Sequence, residues 1–204
     1  LDPTEISETV FICHESKLWR ATTFLDLNGT IFGEEQTLAH GIVPSSSPQG
    51  LVSAGTMPGE PVPAGTFGHL VVPAQTVPNN QYISAYYLTF DHWYHLDSTT
   101  SGGGDGTWVE YRLQSDSNWG NWSYIEPQGG YPSTLSTDAP VPSGASSPVP
   151  VFASDSHSGW VTSNFSLSSL SGIDQADNIQ FRFVIWTHPD SINERPGWFI
   201  DQIE

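Results

Sequence analysis

The sequence predicts an all-β fold, either a sandwich or a barrel, and three observations support this prediction. The chain contains 19 Gly and 16 Pro, which interrupt regular structure at short intervals. No segment sustains the 3.6-residue apolar period of an amphipathic helix, whereas several short runs alternate apolar and polar residues. Aromatic residues, which favour strands, make up 12% of the chain.

We expect one domain over residues 1–204, because a chain of this length can bury a large core in a single β domain. The sequence begins at Leu1 without Met and stops at Glu204 inside a predicted strand. We therefore expect this domain to be an excerpt from a longer protein.

The longest segment with strand character is Tyr86–Asp97, in which side chains of two kinds alternate. One face is apolar and aromatic, including Phe90 and Tyr94, and is expected to enter the core. The opposite face carries Asp91, Trp93 and other polar groups, and it is interpreted as either a structural polar network or a binding surface. The other predicted strands are Thr9–Cys13, Leu18–Phe24, Gly68–Val72, Trp108–Leu113, Gly159–Leu167, Ile179–Thr187 and Gly197–Glu204. Residues 25–67 and 115–150 are expected to be mostly irregular loops.

The Gly-rich segment 97–106 predicts a flexible turn that pairs Tyr86–Asp97 with Trp108–Leu113 as a β-hairpin. In such a hairpin Arg112 would lie on the polar face and form a cross-strand ion pair with Asp91 or Glu110.

Charge excludes two classes of partner. The chain has 22 acidic and 5 basic residues, a formal net charge of −17. Nucleic-acid binding and attraction to anionic lipid both need a basic surface.

No apolar segment is long enough to cross a membrane, so direct membrane insertion is not expected. Cys13 is the single cysteine, which excludes an internal disulfide.

Three sequons favour a secreted or cell-surface location. Their acceptor residues are Asn28, Asn121 and Asn164.

Known catalytic motifs are absent, so the protein is not expected to be an enzyme. His92 and His95 are three residues apart in a strand and would face opposite ways, which does not suit a two-histidine metal site. A glycoside hydrolase or lyase with paired carboxylates is kept as an alternative function, because acidic residues are plentiful.

Carboxylates in the strand and turn segments suggest a structural Ca²⁺ site. Asp201 lies between apolar neighbours in the closing strand, where an unpaired carboxylate is costly to bury. Asp97 and Asp105 flank the Gly-rich turn. Ca²⁺ prefers carboxylate and carbonyl oxygens, so these three residues are the predicted ligands. The alternative is that Asp97 and Asp105 only solvate the turn.

Tryptophans in a Gly- and Asn-rich segment suggest a ligand-binding surface. Trp119, Trp122 and the nearby Tyr124 occur in the sequence SDSNWGNWSYIEP. Exposed aromatic rings stack on sugars and other ligands. The alternative is a loop that folds back and is held by its own indoles.

The order of these segments resembles a MAM-like jelly-roll module. Such modules accompany secreted bacterial and archaeal peptidases of the immune-inhibitor-A type and are similar to reelin-type repeats. The resemblance rests on residues 68–204, with LWRATT and AHG as looser upstream matches. The segments that carry it are LTFDHWYHLD, GDGTWVEYRL, SGWVTSNFSL, IQFRFVIWT and GWFIDQIE.

This resemblance implies a two-sheet antiparallel jelly-roll sandwich with long loops and no catalytic role. It also implies a structural Ca²⁺ near the closing-strand acid, here Asp201, although Gln202 stands where a second acid often follows. An acid of the N-terminal strand would contribute as well, with Glu5, Glu8 and Glu15 as candidates.

We therefore expect a non-catalytic extracellular recognition or adhesion module that belongs to a larger secreted or surface protein. Its expected partners are a cell-surface glycan or protein and other domains of the same chain. The alternative is a structural subunit that self-assembles into a filament, surface layer or virus-like shell.

Overall fold

A computed structural model describes the chain in full at residues 61–78, 85–97, 104–154, 159–192 and 195–204. In the first sixty residues it describes five strands and the side chains of residues 53–56.

The described residues form β-strands, numbered here in chain order. They are β1 (Ile12–Cys13), β2 (Trp19–Thr23), β3 (Glu35–Leu38), β4 (Gly41–Pro44), β5 (Val52–Thr56), β6 (Phe67–Val71), β7 (Gln75–Thr76), β8 (Tyr87–His95), β9 (Gly106–Ser115), β10 (Asn118–Trp119), β11 (Ser123–Ile125), β12 (Ser133–Thr134), β13 (Pro150–Val151), β14 (Val161–Ser166), β15 (Asn178–Trp186) and β16 (Gly197–Asp201). A single turn of 3-10 helix, Ile173–Gln175, precedes β15. No helix among the described residues has the length and hydropathy needed to cross a membrane.

Two antiparallel sheets dominate the structure. The first sheet has the order β1-β6-β15-β9-β10, with β7 paired to β15 and β11 paired to β9. The second sheet has the order β14-β8-β16-β5-β2. Strands β3 and β4 form a separate antiparallel pair, as do β12 and β13. The prediction of an all-β fold with antiparallel sheets is confirmed.

The core lies between the two sheets, as in a β-sandwich. Phe90 on β8 contacts Phe183 on β15 edge to face, with ring centroids 4.9 Å apart. Trp198 on β16 packs on the same Phe183 at 5.5 Å. All three side chains are at most 1% exposed, and burial of each stabilises the fold by about 1.5–3 kcal/mol or more.

A buried histidine connects strands of the second sheet through hydrogen bonds. Trp198 Nε1 donates to His92 Nδ1 at 3.1 Å, so His92 carries its proton on Nε2. That Nε2 lies 2.9 Å from Ser163 Oγ on β14. The imidazole is therefore a structural group of the core.

The outer face of β8 is packed against apolar groups at its C-terminal end. Trp93 is fully buried and contacts Phe199 at 5.6 Å, with Trp160 packed beside them. β4 lies close to β8. Side chains on both faces are therefore buried at this end of the strand, whereas Tyr87 is exposed and Thr89 and Asp91 are half-buried.

The predicted hairpin between Tyr86–Asp97 and Trp108–Leu113 is wrong. The first segment forms β8 in the second sheet, and the other forms β9 in the first sheet. The connection crosses the sandwich and is closed where Asp105 N donates to Asp97 O at 2.6 Å. Arg112 consequently has no access to Asp91.

Residues 25–67 contain more strand than expected, since β3, β4 and β5 lie there. Gly and Pro punctuate these segments, and the strands are too short to show a clear alternation. β5 nevertheless pairs with both β16 and β2. Each of the eight predicted strands overlaps an observed one.

Candidate functional site

The outer face of the first sheet carries the polar side chains of β9 and β15. Val109 on β9 and Phe183 on β15 pair with each other and point into the core. Because side chains alternate along a strand, the neighbouring Glu110 and Arg182, also a pair, point outward.

Glu110 and Arg182 form a buried ion pair on this face. Arg182 Nε and Nη2 both donate to Glu110 Oε2, at 2.8 and 2.5 Å. The other carboxylate oxygen, Oε1, accepts from Trp108 Nε1 at 2.7 Å. Glu110 is 3% exposed, and these three charge-assisted bonds compensate for the loss of its hydration.

Arg112 is held by a neutral partner and two aromatic rings. Its Nε and Nη2 donate to Gln180 Oε1 at 3.0 and 2.6 Å. Its guanidinium carbon lies over Trp119 and Trp122, 4.7 and 4.6 Å from their ring centroids. Among the described residues no carboxylate forms an ion pair with Arg112.

Arg182 continues this arrangement, since its guanidinium carbon lies 4.7 Å from the Trp122 ring centroid. Trp119, Arg112, Trp122 and Arg182 are called the Trp–Arg ladder below. Burial, with the nearby positive charge of Arg182, lowers the pKa of Arg112. The indole faces offset part of this repulsion, because a guanidinium over an aromatic ring is attracted by about 0.5–2 kcal/mol.

A tight turn brings Trp119 back onto β9. Asp116 and Ser117 both have positive φ, 51° and 65°, as a two-residue hairpin turn of type I′ requires. Asn118 and Trp119 then pair with Ser115 and Gln114. The expected loop is therefore a short hairpin strand that places the indole beside Arg112.

Trp119 and Trp122 remain partly exposed, whereas Tyr124 is 7% exposed. Tyr124 belongs to the core, and its hydroxyl donates to Pro150 O at 2.7 Å. Burial raises its pKa. Tyr124 does not offer a ring to solvent, so its prediction as a ligand-binding residue is wrong. The alternative, in which the segment is held by its own indoles, describes the packing, and two indoles still reach the surface.

Arg112 was expected on the polar face of its strand, but its contact with the indoles was not predicted. The usable signal was the pair of cations at period-two positions of neighbouring strands in a chain with only five basic residues.

Asp97 and Asp105, two of the predicted Ca²⁺ ligands, do lie close together. Asp97 is fully buried and Asp105 is 3% exposed. Asp105 Oδ1 accepts from His188 N at 2.9 Å, and Asp97 N lies 3.4 Å from Asp105 Oδ2. Burial, with the nearby Asp97, raises the pKa of Asp105 to about 6, against the opposing effect of these backbone bonds.

Asp201 lies far from that pair, so the prediction of one site with three ligands is wrong. It pairs with Asp91 on β8, whereas Asp97 follows six residues later, about 20 Å along an extended strand. Within the described ranges, no group of three or more His, Cys, Asp or Glu side chains is arranged to hold a metal ion. The N-terminal candidates Glu5, Glu8 and Glu15 lie outside the described residues.

The surroundings of Asp201 are nevertheless unusual. Its Oδ1 accepts from Gln202 N at 2.9 Å, but its Oδ2 is buried without a hydrogen-bond partner. Ala54 on β5 pairs with Ile200, which places Ser53 opposite Asp201 in register. Ser53 is 4% exposed, and its Oγ is buried without a partner as well.

Two of the three sequons lie within the described residues. Asn121 is exposed, between the two indoles of the ladder. Asn164 is half-buried in β14 and pairs with Thr89. Asn28 lies outside the described residues.

No protein-family model matches the chain. No curated protein shows significant sequence similarity to it.

Proposed function

We propose that this protein is a non-catalytic extracellular recognition or adhesion module, part of a larger secreted or surface protein, which binds a carbohydrate or glycoprotein through the Trp–Arg ladder. The observation that carries the proposal is the fixed pair of partly exposed indoles, Trp119 and Trp122, with Arg112 against both rings. A MAM-like jelly-roll module is the kind of domain that we propose.

Preorganisation is the physical basis of this proposal. Arg112 is tied to Gln180 by two hydrogen bonds and holds both rings. Aromatic side chains that are already ordered lose little conformational entropy when a ligand stacks on them. A sugar that covers the exposed part of each indole would gain apolar contact, while Asn121 and the remaining N–H groups of Arg112 offer hydrogen bonds.

The charge of the chain favours neutral sugars. A net charge of −17 repels sulfated or carboxylated polymers at low ionic strength. Glu110 already neutralises Arg182, which leaves Arg112 as the one ladder cation without a carboxylate among the described residues.

A glycan array followed by fluorescence titration tests the proposal. Trp119→Ala and Trp122→Ala are each expected to weaken binding at least tenfold, which corresponds to about 1.4 kcal/mol. Trp160→Phe is the control, because Trp160 is also partly exposed but packs against the second sheet, remote from the ladder. If no glycan binds, or if both ladder variants bind like the wild type, sugar recognition by this surface is ruled out.

We also propose a structural Ca²⁺ at Asp201. A buried carboxylate oxygen and a buried hydroxyl without partners, Asp201 Oδ2 and Ser53 Oγ, are hard oxygen donors of the kind that Ca²⁺ binds. Asp91 lies opposite on β8 and supplies a second carboxylate.

Thermal unfolding with and without chelator checks the Ca²⁺ proposal. Ca²⁺ at one hundred times its dissociation constant is expected to stabilise the fold by about 2.7 kcal/mol. Asp201→Asn should abolish that dependence, whereas Asp105→Asn and the exposed-site control Asp174→Asn should retain it. An unchanged melting curve in chelator would end the proposal for Asp201.

A further inference from the structure

A cavity of about 500 Å³ opens at one end of the sandwich. It lies where β15 begins and β16 ends, so it is at the opposite end from Asp97 and Asp105. Its volume falls within the range of ligand pockets, roughly 300–1,000 Å³.

The walls of this cavity come from both sheets and are apolar. Ile179 and Phe181 on β15 face Leu88 on β8, with Leu167 just beyond β14. These four side chains are at most 5% exposed and belong to the main core. The cavity therefore reaches from the surface into the layer between the sheets.

The mouth is more polar and is partly defined by Tyr86 and Tyr87. Tyr87 is 52% exposed, while the hydroxyl of Tyr86 is engaged by Pro78 O at 2.7 Å. A ligand head group at this end would therefore meet solvent, and its tail would meet the core residues.

Glu204 is the one charged residue among the described residues that line the cavity. It is held in place by two backbone hydrogen bonds with Thr89, each 2.9 Å long. Its side chain is exposed. A negative group at the rim of an apolar cavity favours a ligand with a cationic or hydrogen-bond-donating head.

We propose that this cavity binds a small amphiphile with an apolar tail and an ammonium head. The apolar walls take the tail, and Glu204 selects the head. The overall charge of −17 acts in the same direction, because it disfavours carboxylate and sulfate head groups. This site is separate from the Trp–Arg ladder and does not depend on the proposed sugar binding.

Calorimetric titration with octylammonium, octanol and octanoate tests the proposal. Octylammonium is expected to bind at least tenfold more tightly than octanoate, with octanol between them. Each added methylene in an alkylammonium series should raise the affinity about fourfold until the tail fills the cavity. Absence of binding, or equal affinity for octylammonium and octanoate, would overturn the proposal.

Substitutions inside and outside the cavity show where the amphiphile binds. Glu204→Gln should remove the preference for ammonium over octanol while retaining octanol binding. Ile203→Trp and Thr76→Trp, which place an indole at two different points of the lining, should each weaken octylammonium at least tenfold. Ile192→Trp is the control, because Ile192 is 86% exposed in the loop between β15 and β16, at the opposite end.

Circular dichroism in the near ultraviolet shows whether each variant is folded. Two blocking positions are used, because Ile203 packs on the core and its substitution can disturb folding, whereas Thr76 is exposed. If folded Thr76→Trp and folded Ile203→Trp both bind like the wild type, the amphiphile is bound elsewhere and the assignment is wrong.

Discussion

Replacing Asp105 by Asn removes a buried negative charge that lowers the free energy of unfolding. The carboxyl is 3% exposed, and burial raises its pKa from 3.8 to about 6. A native pKa above the unfolded value means that folding favours the protonated form. The stability that the protonated Asp105 carboxyl contributes is therefore fully present below about pH 4 and is lost as the pH rises through 6.

The magnitude follows from the two pKa values. Well above pH 6, ionised Asp105 lowers the free energy of unfolding by about 3 kcal/mol relative to the protonated form. About 2 kcal/mol of this difference develops between pH 4.5 and 7.5. Asn has no charge but places an NH₂ group where Oδ2 faces Asp97 N, which costs about 1 kcal/mol at every pH.

Urea unfolding in the presence of chelator measures the effect. At pH 7.5 Asp105→Asn is expected to be about 1–2 kcal/mol more stable than the wild type, and this advantage should vanish near pH 4.5. Asp174→Asn, at an exposed carboxyl, is the control for the change in net charge. A stability difference between Asp105→Asn and the wild type that stays constant from pH 4.5 to 7.5 would refute the reasoning.

Two further substitutions test the packing. Glu110→Ala leaves Arg182 buried without its carboxylate and is expected to lower the free energy of unfolding by about 3–5 kcal/mol in a urea titration; a loss below 1 kcal/mol would contradict a buried ion pair. Gly197→Ala is expected to cost more than about 4 kcal/mol or prevent folding, because φ is 98° and a Cβ would overlap Thr56 Oγ1. Gly130→Ala, at φ 80° with open space around it, is the matched control and should cost about 1–2 kcal/mol.

Strand positions were predictable from the sequence because alternation is a local property. Phe90 was expected to point inward, and it is almost fully buried. Strand pairing depends on residues that are distant in sequence, and the predicted hairpin between Tyr86–Asp97 and Trp108–Leu113 was wrong. The segments that form β8 and β9 are close in sequence and similar in pattern, but each joins a different sheet.

The candidate site was predictable only in parts. Trp119 and Trp122 were recognised from their Gly- and Asn-rich setting, whereas their contact with Arg112 depends on a turn with two left-handed residues. Asp105 was predicted as a Ca²⁺ ligand, with a solvated turn residue as the alternative, and nothing in DSTTSGGGDG indicates that Asp97 and Asp105 become buried. The burial of these two carboxylates is a consequence of topology, which composition does not predict.

The position of β16 has a consequence for the order of assembly. This strand is the last of the described strands, yet it lies in the middle of the second sheet, between β8 and β5. Gly197 pairs with His95 and Phe199 with Gly55, across 102 and 144 residues. During synthesis on the ribosome, β8 and β5 must both wait with an open edge until residues 197–201 emerge. The second sheet therefore closes in one late step. Until then, the open edges of β8 and β5 must be kept from pairing with other chains.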